Sequence, residues 1–269
     1  MVAAAVLLGI GLGLLNSAAG FDSIDRQRGL FWCQVGDSLR TVGRQAESVD
    51  PYRKGLALTP ENAVGAANLG RVLIQLGRRN EAIAYLSQAV RYDPANTAVR
   101  CELGQALLAE NRPDDALQQL QEVLRRDPKM VFAHIGVSQI LYASGDIRGG
   151  IAALRRAQEL APESPDLAND LAWLLATTPG LSETEHAGAV HIAQQALAKI
   201  GDKDPGVLDT LAAALASDGR FTEAVAAMEQ ALARAQEQGD SDKVERFRQR
   251  LELYKSGQPY LAPPPRPGP

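Results

Sequence analysis

Three kinds of side chain here are capable of metal, redox or nucleophilic chemistry: three histidines, two cysteines and the serines. A helical zinc pair needs imidazoles on one face, three or four residues apart. His186 and His191 are five apart and His134 stands alone, so no metal pair forms. His134 is expected to be a satisfied core histidine. Cys33 and Cys101 are too few and too far apart for a disulfide framework. No serine sits at a strand-to-helix turn that would expose a nucleophile. Gly9-Ile10-Gly11-Leu12-Gly13 has the glycine spacing of a phosphate loop, but it lies inside an apolar run rather than between a strand and a helix. No catalytic residue, metal ligand or cofactor site is predicted, and the expected class is non-enzymatic.

The formal net charge is -4, and nothing forms the basic stripe that phosphate backbones require. The pairs Arg78-Arg79, Arg125-Arg126 and Arg155-Arg156 fall at different points of the repeat described next and are read as solvated surface. Nucleic acid is therefore not an expected partner. Ala and Leu are abundant and aromatics make up only 5% of residues, a mixture that favours helices.

Pro60, Pro94, Pro128 and Pro162 recur every 34 residues. Such a period signals a repeat architecture and sets frames starting at residues 29, 63, 97, 131 and 165. Position 8 of each frame is small: Gly36, Gly70, Gly104, Ser138 and Ala172. Position 7 is Val35, Leu69, Leu103, Val137 and Leu171, and position 11 is always leucine, from Leu39 to Leu175. Positions 4, 7, 8 and 11 share one face at 3.6 residues per turn. Position 15 reads Gly43, Gly77, Asn111 and Gly145, the residue types that end a helix with positive φ. Positions 20, 24 and 27 build a second apolar face, with Tyr52, Leu86, Leu120 and Leu154 at position 24.

Each unit is thus a helix, a turn and a helix, closed by proline. The pattern resembles the tetratricopeptide repeat (TPR) family, of the bacterial membrane-linked type. The resemblance implies an all-α, right-handed superhelix of about six TPR units plus a capping helix. The array spans 29–238, as units 29–62, 63–96, 97–130, 131–164, 165–204 with an insert, and 205–238. A capping helix follows at 239–255 and a Pro-rich tail at 256–269, while 22–28 is read as a linker. Pro51 at position 23 predicts that the second helix of the first unit starts late, near Asp50. Residues 177–185 are longer than a tight turn. The tail is expected to be an extended, solvated end, although Pro263-Pro264-Pro265-Arg266-Pro267 has the form of a ligand for a proline-binding domain. Cys33 and Cys101 share position 5 two repeats apart, and helices stacked ~8–10 Å apart put a disulfide out of reach.

Val2–Leu15 is an unbroken apolar run, and counting through Phe21 approaches the ~20 residues that span a bilayer. No Lys or Arg precedes it, so the usual start of a signal peptide is missing. Residues 1–21 are read as an uncleaved membrane anchor, an atypical signal peptide or the last span of a longer protein. A buried first helix is disfavoured, because the run is apolar all round. The expected location is membrane-associated or exported, with the side unset, since Asp22, Asp25, Arg26 and Arg28 nearly cancel.

In the resembled family the first helix of each pair lines a concave groove. Here those sites hold Asp37, Asn68, Arg71, Gln75, Gln105, Gln139, Tyr142, Asn169 and Trp173, together with Arg40. Amides, arginines and aromatics suit an extended peptide or a partner helix. They also suit plain solvent exposure, and Trp173 has a competing role beneath the 177–185 insert. A clamp for acidic C-terminal peptides is not matched, because Cys33 and Asp37 stand where that clamp uses Lys and Asn. The expected function is a protein-binding scaffold tethered to a membrane through residues 1–21. The alternatives are a soluble assembly or regulatory subunit, and the non-catalytic TPR portion of a membrane glycosyltransferase-like protein. The ending Leu251-Glu252-Leu253-Tyr254-Lys255-Ser256-Gly257-Gln258-Pro259-Tyr260 is similar to the ends of some bacterial membrane-linked TPR proteins.

Overall fold

The computed structural model describes residues 18–262, which form thirteen helices and no strand among the described residues. The chain is an α-solenoid of antiparallel helix pairs, in two compact units that divide at Asp127. The first unit contains α1 (Ala18–Thr41), α2 (Gln45–Leu58), α3 (Ala63–Gln75), α4 (Arg79–Tyr92), α5 (Thr97–Ala109) and α6 (Pro113–Arg126). The second contains α7 (Val131–Ala143), α8 (Ile147–Leu160), α9 (Pro165–Thr177), α10 (Glu183–Ile200), α11 (Pro205–Ser217), α12 (Phe221–Glu237) and α13 (Ser241–Lys255).

The first helix of most pairs opens on a short polar cap. The side chains of Asn62, Asn96, Ser164 and Asp204 accept from Gly65, Val99, Leu167 and Gly206 N–H. Each such bond satisfies one of the donors a helix start leaves unpaired. The second helices start differently. Arg44, Arg78, Arg112 and Arg220 occupy the cap position with no side-chain cap bond. Each pairs instead with a carboxylate three residues on: Glu47, Glu81, Asp115 and Glu223. That carboxylate lies in the first turn, where the helix dipole favours negative charge. Asp146 replaces the arginine in the fourth unit and caps Gly149 N–H at 3.0 Å.

The two helices of a pair cross where position 8 meets position 24. A Cβ built on Gly70 or Gly104 falls 2.8 Å from the Cγ of Leu86 or a Cδ of Leu120, closer than carbon atoms pack. Leu86 and Leu120 are fully buried there. In the fourth unit the small residues trade places. Gly150 takes the close approach and Ser138 Oγ donates to its carbonyl at 2.7 Å. The turns after α1, α3 and α7 use Gly43, Gly77 and Gly145 at positive φ, and Asn111 has φ 55° after α5.

Three expectations are corrected. Residues 22–28 are helical rather than a linker, because α1 continues upstream of its first packed residue, Gly29, with Asp25 and Arg28 paired on the added turn. Pro51 does not delay α2, which starts at Gln45 and carries the proline inside it. The missing N–H forfeits one bond, and burial of Ser48, Val49 and Tyr52 around it outweighs that loss. The tail is not solvated throughout: Tyr260 and Ala262 lie back against the second unit, as described below, and 263–269 are outside the described residues. The expected anchor is outside the described residues as far as Ser17, and the Pro263–Pro267 motif lies wholly outside them. Among the described residues no helix is long and apolar enough to cross a membrane.

Candidate partner-binding surface

All nine predicted groove residues lie on first helices: Asp37 on α1, Asn68, Arg71 and Gln75 on α3, Gln105 on α5, Gln139 and Tyr142 on α7, and Asn169 and Trp173 on α9. The structure sorts them by what they already hold.

In the first unit Asp37, Asn68 and Arg71 are committed to one another. Asp37 Oδ1 accepts from the Tyr52 hydroxyl at 2.6 Å and from Asn68 Nδ2 at 2.8 Å. Asn68 Oδ1 accepts from Arg71 at 2.9 Å, and Arg71 grips Glu102 bidentately at 2.9 and 3.0 Å. Burial, and then the hydrogen bond to Asp37, push the Tyr52 phenol well above its ordinary range. The Tyr52 hydroxyl, and then the Asp37 carboxylate, hold Arg40 protonated. The chain Tyr52–Asp37–Asn68–Arg71–Glu102 runs from α2 through α1 and α3 to α5 and fastens successive repeats.

Gln75 and Gln105 are exposed and free of that network. They flank a shallow trough of about 330 Å³ with Ile74, Ala106 and Ala109 on its floor and Arg71, Arg79 and Glu102 at its edges. An apolar floor between two primary amides suits a partner's side chain below and its backbone above, because each amide offers both a donor and an acceptor.

In the second unit Gln139 is exposed, and Asn169 is half-buried with its Oδ1 lacking a hydrogen-bond partner. Trp173 is partly buried against the core of this unit. It lies beside the chain's own tail, 5.9 Å from the Tyr260 ring between centroids. The Arg250 guanidinium, from α13, is 4.7 Å from the Trp173 ring and 4.4 Å from that of Tyr260, so the three groups close a triangle. Arg250 also pairs with Asp209 on α11, both nearly out of solvent. Burial pushes the Asp209 carboxyl up against the pull of Arg250, whereas burial alone would lower Arg250 and the carboxylate more than offsets it. Tyr142 is raised by burial and by the nearby Tyr260.

Sequence reasoning missed Glu102, Arg79, Tyr52, Asp209, Arg250 and Tyr260. A signal existed for Glu102. Asp37–Asn68 and Arg71–Glu102 are both 31 residues apart, one repeat less one helical step of three. The other titratable residues carry no site. His134 is half-buried and bonds the Pro128 carbonyl at 3.0 Å. Cys33 and Cys101 are buried free thiols. No group of three or more potential metal ligands occurs among the described residues.

Family models described as tetratricopeptide repeat match residues 73–133 and 206–237, within the stacked pairs just described. The chain thus contains tetratricopeptide repeats. Solved TPR-like structures share its fold at low identity. The pilF protein of Pseudomonas aeruginosa is 18% identical, with a TM-score of 0.65, covering 85% of this chain and 98% of that one. The C-terminal part of a TPR repeat-containing protein from Cytophaga hutchinsonii is 15% identical, with a TM-score of 0.66, covering 83% and 88%. A chain of the APC/C hetero-tetramer Cut9–Hcn1 is 14% identical, with a TM-score of 0.59, covering 84% of this TPR chain and 42% of that one. No curated protein matches in sequence. Proteins of this repeat family are generally non-catalytic, and the array is that of a protein–protein interaction scaffold.

Proposed function

We propose that this TPR protein captures a segment of a partner protein on the first-helix face of its first unit, at the trough between Gln75 and Gln105. The observation that carries this is the division of labour there. Asp37, Asn68 and Arg71 are consumed in fastening repeats, while Gln75, Gln105 and Arg79 stand exposed around Ile74, Ala106 and Ala109. A segment with one apolar side chain, flanked by peptide groups for the amides and a carboxylate for Arg79, fits that lining.

The test is cross-linking and capture from the native host with the full chain, beside a Gln75→Ala/Gln105→Ala variant. Arg71 is left intact, since its loss would loosen the stack. A partner held by the wild type and lost by the variant supports the trough. Equal capture by both rejects it. We further propose that residues 1–21 tether the scaffold to a membrane, supported by the uncharged apolar run Val2–Leu15 and by its extension through Phe21 towards the ~20 residues that span a bilayer. Extraction from host membranes that requires detergent supports the tether, and release by salt or carbonate rejects it.

A further inference from the structure

In the second unit the first-helix face is already occupied at Trp173 on α9, and by a piece of the same chain. After Lys255, Gly257 at φ 72° reverses the direction of the backbone, with its N–H on the Tyr254 carbonyl at 3.1 Å and Gln258 N–H on that of Leu253 at 3.0 Å. Pro259 then stiffens the return by fixing φ. Tyr260 lies against Trp173 and Arg250, and two residues later Ala262 N–H donates to the Thr177 carbonyl at 2.9 Å. Thr177 is the last residue of α9, so that carbonyl is one a helix end leaves unpaired. Leu261, between the two contacts, points into solvent at 47% exposure.

This is how an extended peptide is read: one side chain inserted, the next outward, and a main-chain bond beyond. The slot is built for it. Trp173 gives an aromatic wall and Arg250, fixed by Asp209, gives a cationic one. The seat is also light, with one ring and one main-chain bond against α9 and α13.

We propose that residues 258–262 are an intramolecular ligand, and that the Trp173–Arg250 slot is a second peptide-binding site of this protein. Its external ligand is an extended peptide with an aromatic residue two positions before a free backbone N–H, and this ligand competes with Tyr260 for the slot. The short tether gives the tail an effective concentration of about millimolar, so the wild type binds such ligands weakly. This site is independent of the trough in the first unit.

The test uses the full chain and a labelled synthetic peptide, Gln-Pro-Tyr-Leu-Ala-Pro-Pro, followed by fluorescence anisotropy. Tyr260→Ala is expected to bind the peptide at least tenfold tighter than the wild type. Adding Trp173→Ala, or replacing the peptide's tyrosine by alanine, is expected to abolish binding. Ala262→Pro removes the N–H to Thr177 without touching the rings, and is expected to raise peptide affinity as well. It serves where Tyr260→Ala lacks wild-type helicity by circular dichroism. Equal binding by the wild type and both variants, or none by any of them, overturns the proposal. A wild-type dimer lost in Tyr260→Ala would assign the slot to the tail of a second copy and overturn the intramolecular reading.

Discussion

Removing Asp209 tests how the second unit holds its last helix and its tail. Asp209 on α11 and Arg250 on α13 are paired with side-chain exposures of 10% and 13%, so solvent screens little of their interaction. Asp209→Ala would leave a nearly buried guanidinium with only the Trp173 and Tyr260 rings. Breaking a buried pair from one side costs about 3–5 kcal/mol, because the remaining charge stays desolvated. Replacing both partners by apolar groups is different. In Asp209→Leu/Arg250→Met no charge is buried, and the unpartnered Asp209 Oδ1 disappears. The loss is then the two ring contacts, about 0.5–2 kcal/mol each, set against relief of desolvation. The double variant is expected within about 2 kcal/mol of wild type. Trp32 and Trp173 are the only tryptophans, one in each unit, so a Trp32→Phe background makes fluorescence a reporter of the second unit. Urea unfolding of wild type, Asp209→Leu, Arg250→Met and the double variant gives the coupling, with Asp209→Ala measured beside them. A cost below about 1 kcal/mol for Asp209→Ala, or a double variant as unstable as the two single losses summed, would refute the reasoning.

Four further outcomes are expected. Leu86→Ala should cost about 2–5 kcal/mol. In that background Gly70→Ala should recover roughly 1–2 kcal/mol through helix propensity and one buried methyl, whereas alone it clashes with Leu86; additive urea midpoints would deny the close crossing. Glu47, Glu81 and Glu223 are held below the ordinary carboxylate range by hydrogen bonds from Arg44, Arg78 and Arg220. A depressed carboxylate contributes stability that is present above its unfolded value near 4.5 and is lost as pH falls through the folded one. Thermal melts should therefore fall below pH 4.5, and less steeply in a triple Glu→Gln variant. Arg71→Ala should cost about 0.2–1 kcal/mol in urea unfolding, because its pair with Glu102 is partly exposed at 40% and 30%. Cys33 and Cys101 should alkylate only as the chain unfolds, since burial raises both thiols, that of Cys101 to about 11; stoichiometric labelling of the native protein would contradict their placement.

The fold was legible because a repeat states its rule several times over. Small residues at position 8 and large ones at position 24 announce the same crossing from Gly36–Tyr52 to Gly104–Leu120, and the crossings stand where that pattern places them. Pro51 misled because a local rule was weighed against a single unit. The burial of Val49 and Tyr52 around it, supplied by α1, cannot be read from residues 45–58 alone. The site was half legible for the same reason. Position in the frame put all nine candidates on first helices, but position does not say whether a side chain is spent. Asp37, Asn68 and Arg71 stand at the frame positions expected to face the groove, yet Asp37 meets Asn68 and Arg71 meets Glu102, each 31 residues on, an offset invisible within one repeat. Trp173 shows the converse limit. Its neighbours Arg250 and Tyr260 come from beyond the last repeat, where the period has ended and no internal comparison is available. A repeat array therefore displays its scaffold in its periodicity and its specificity in departures from it. In this chain the departures concentrate where α13 and the tail close over α9. A repeat-periodic change, such as Leu141→Ala at position 11, is accordingly expected to lower stability and leave peptide selectivity alone. Changes at Trp173, Arg250 or Tyr260 are expected to alter what binds. Measuring both quantities on one set of variants separates the two roles, and a position 11 change that altered selectivity at unchanged stability would defeat the distinction.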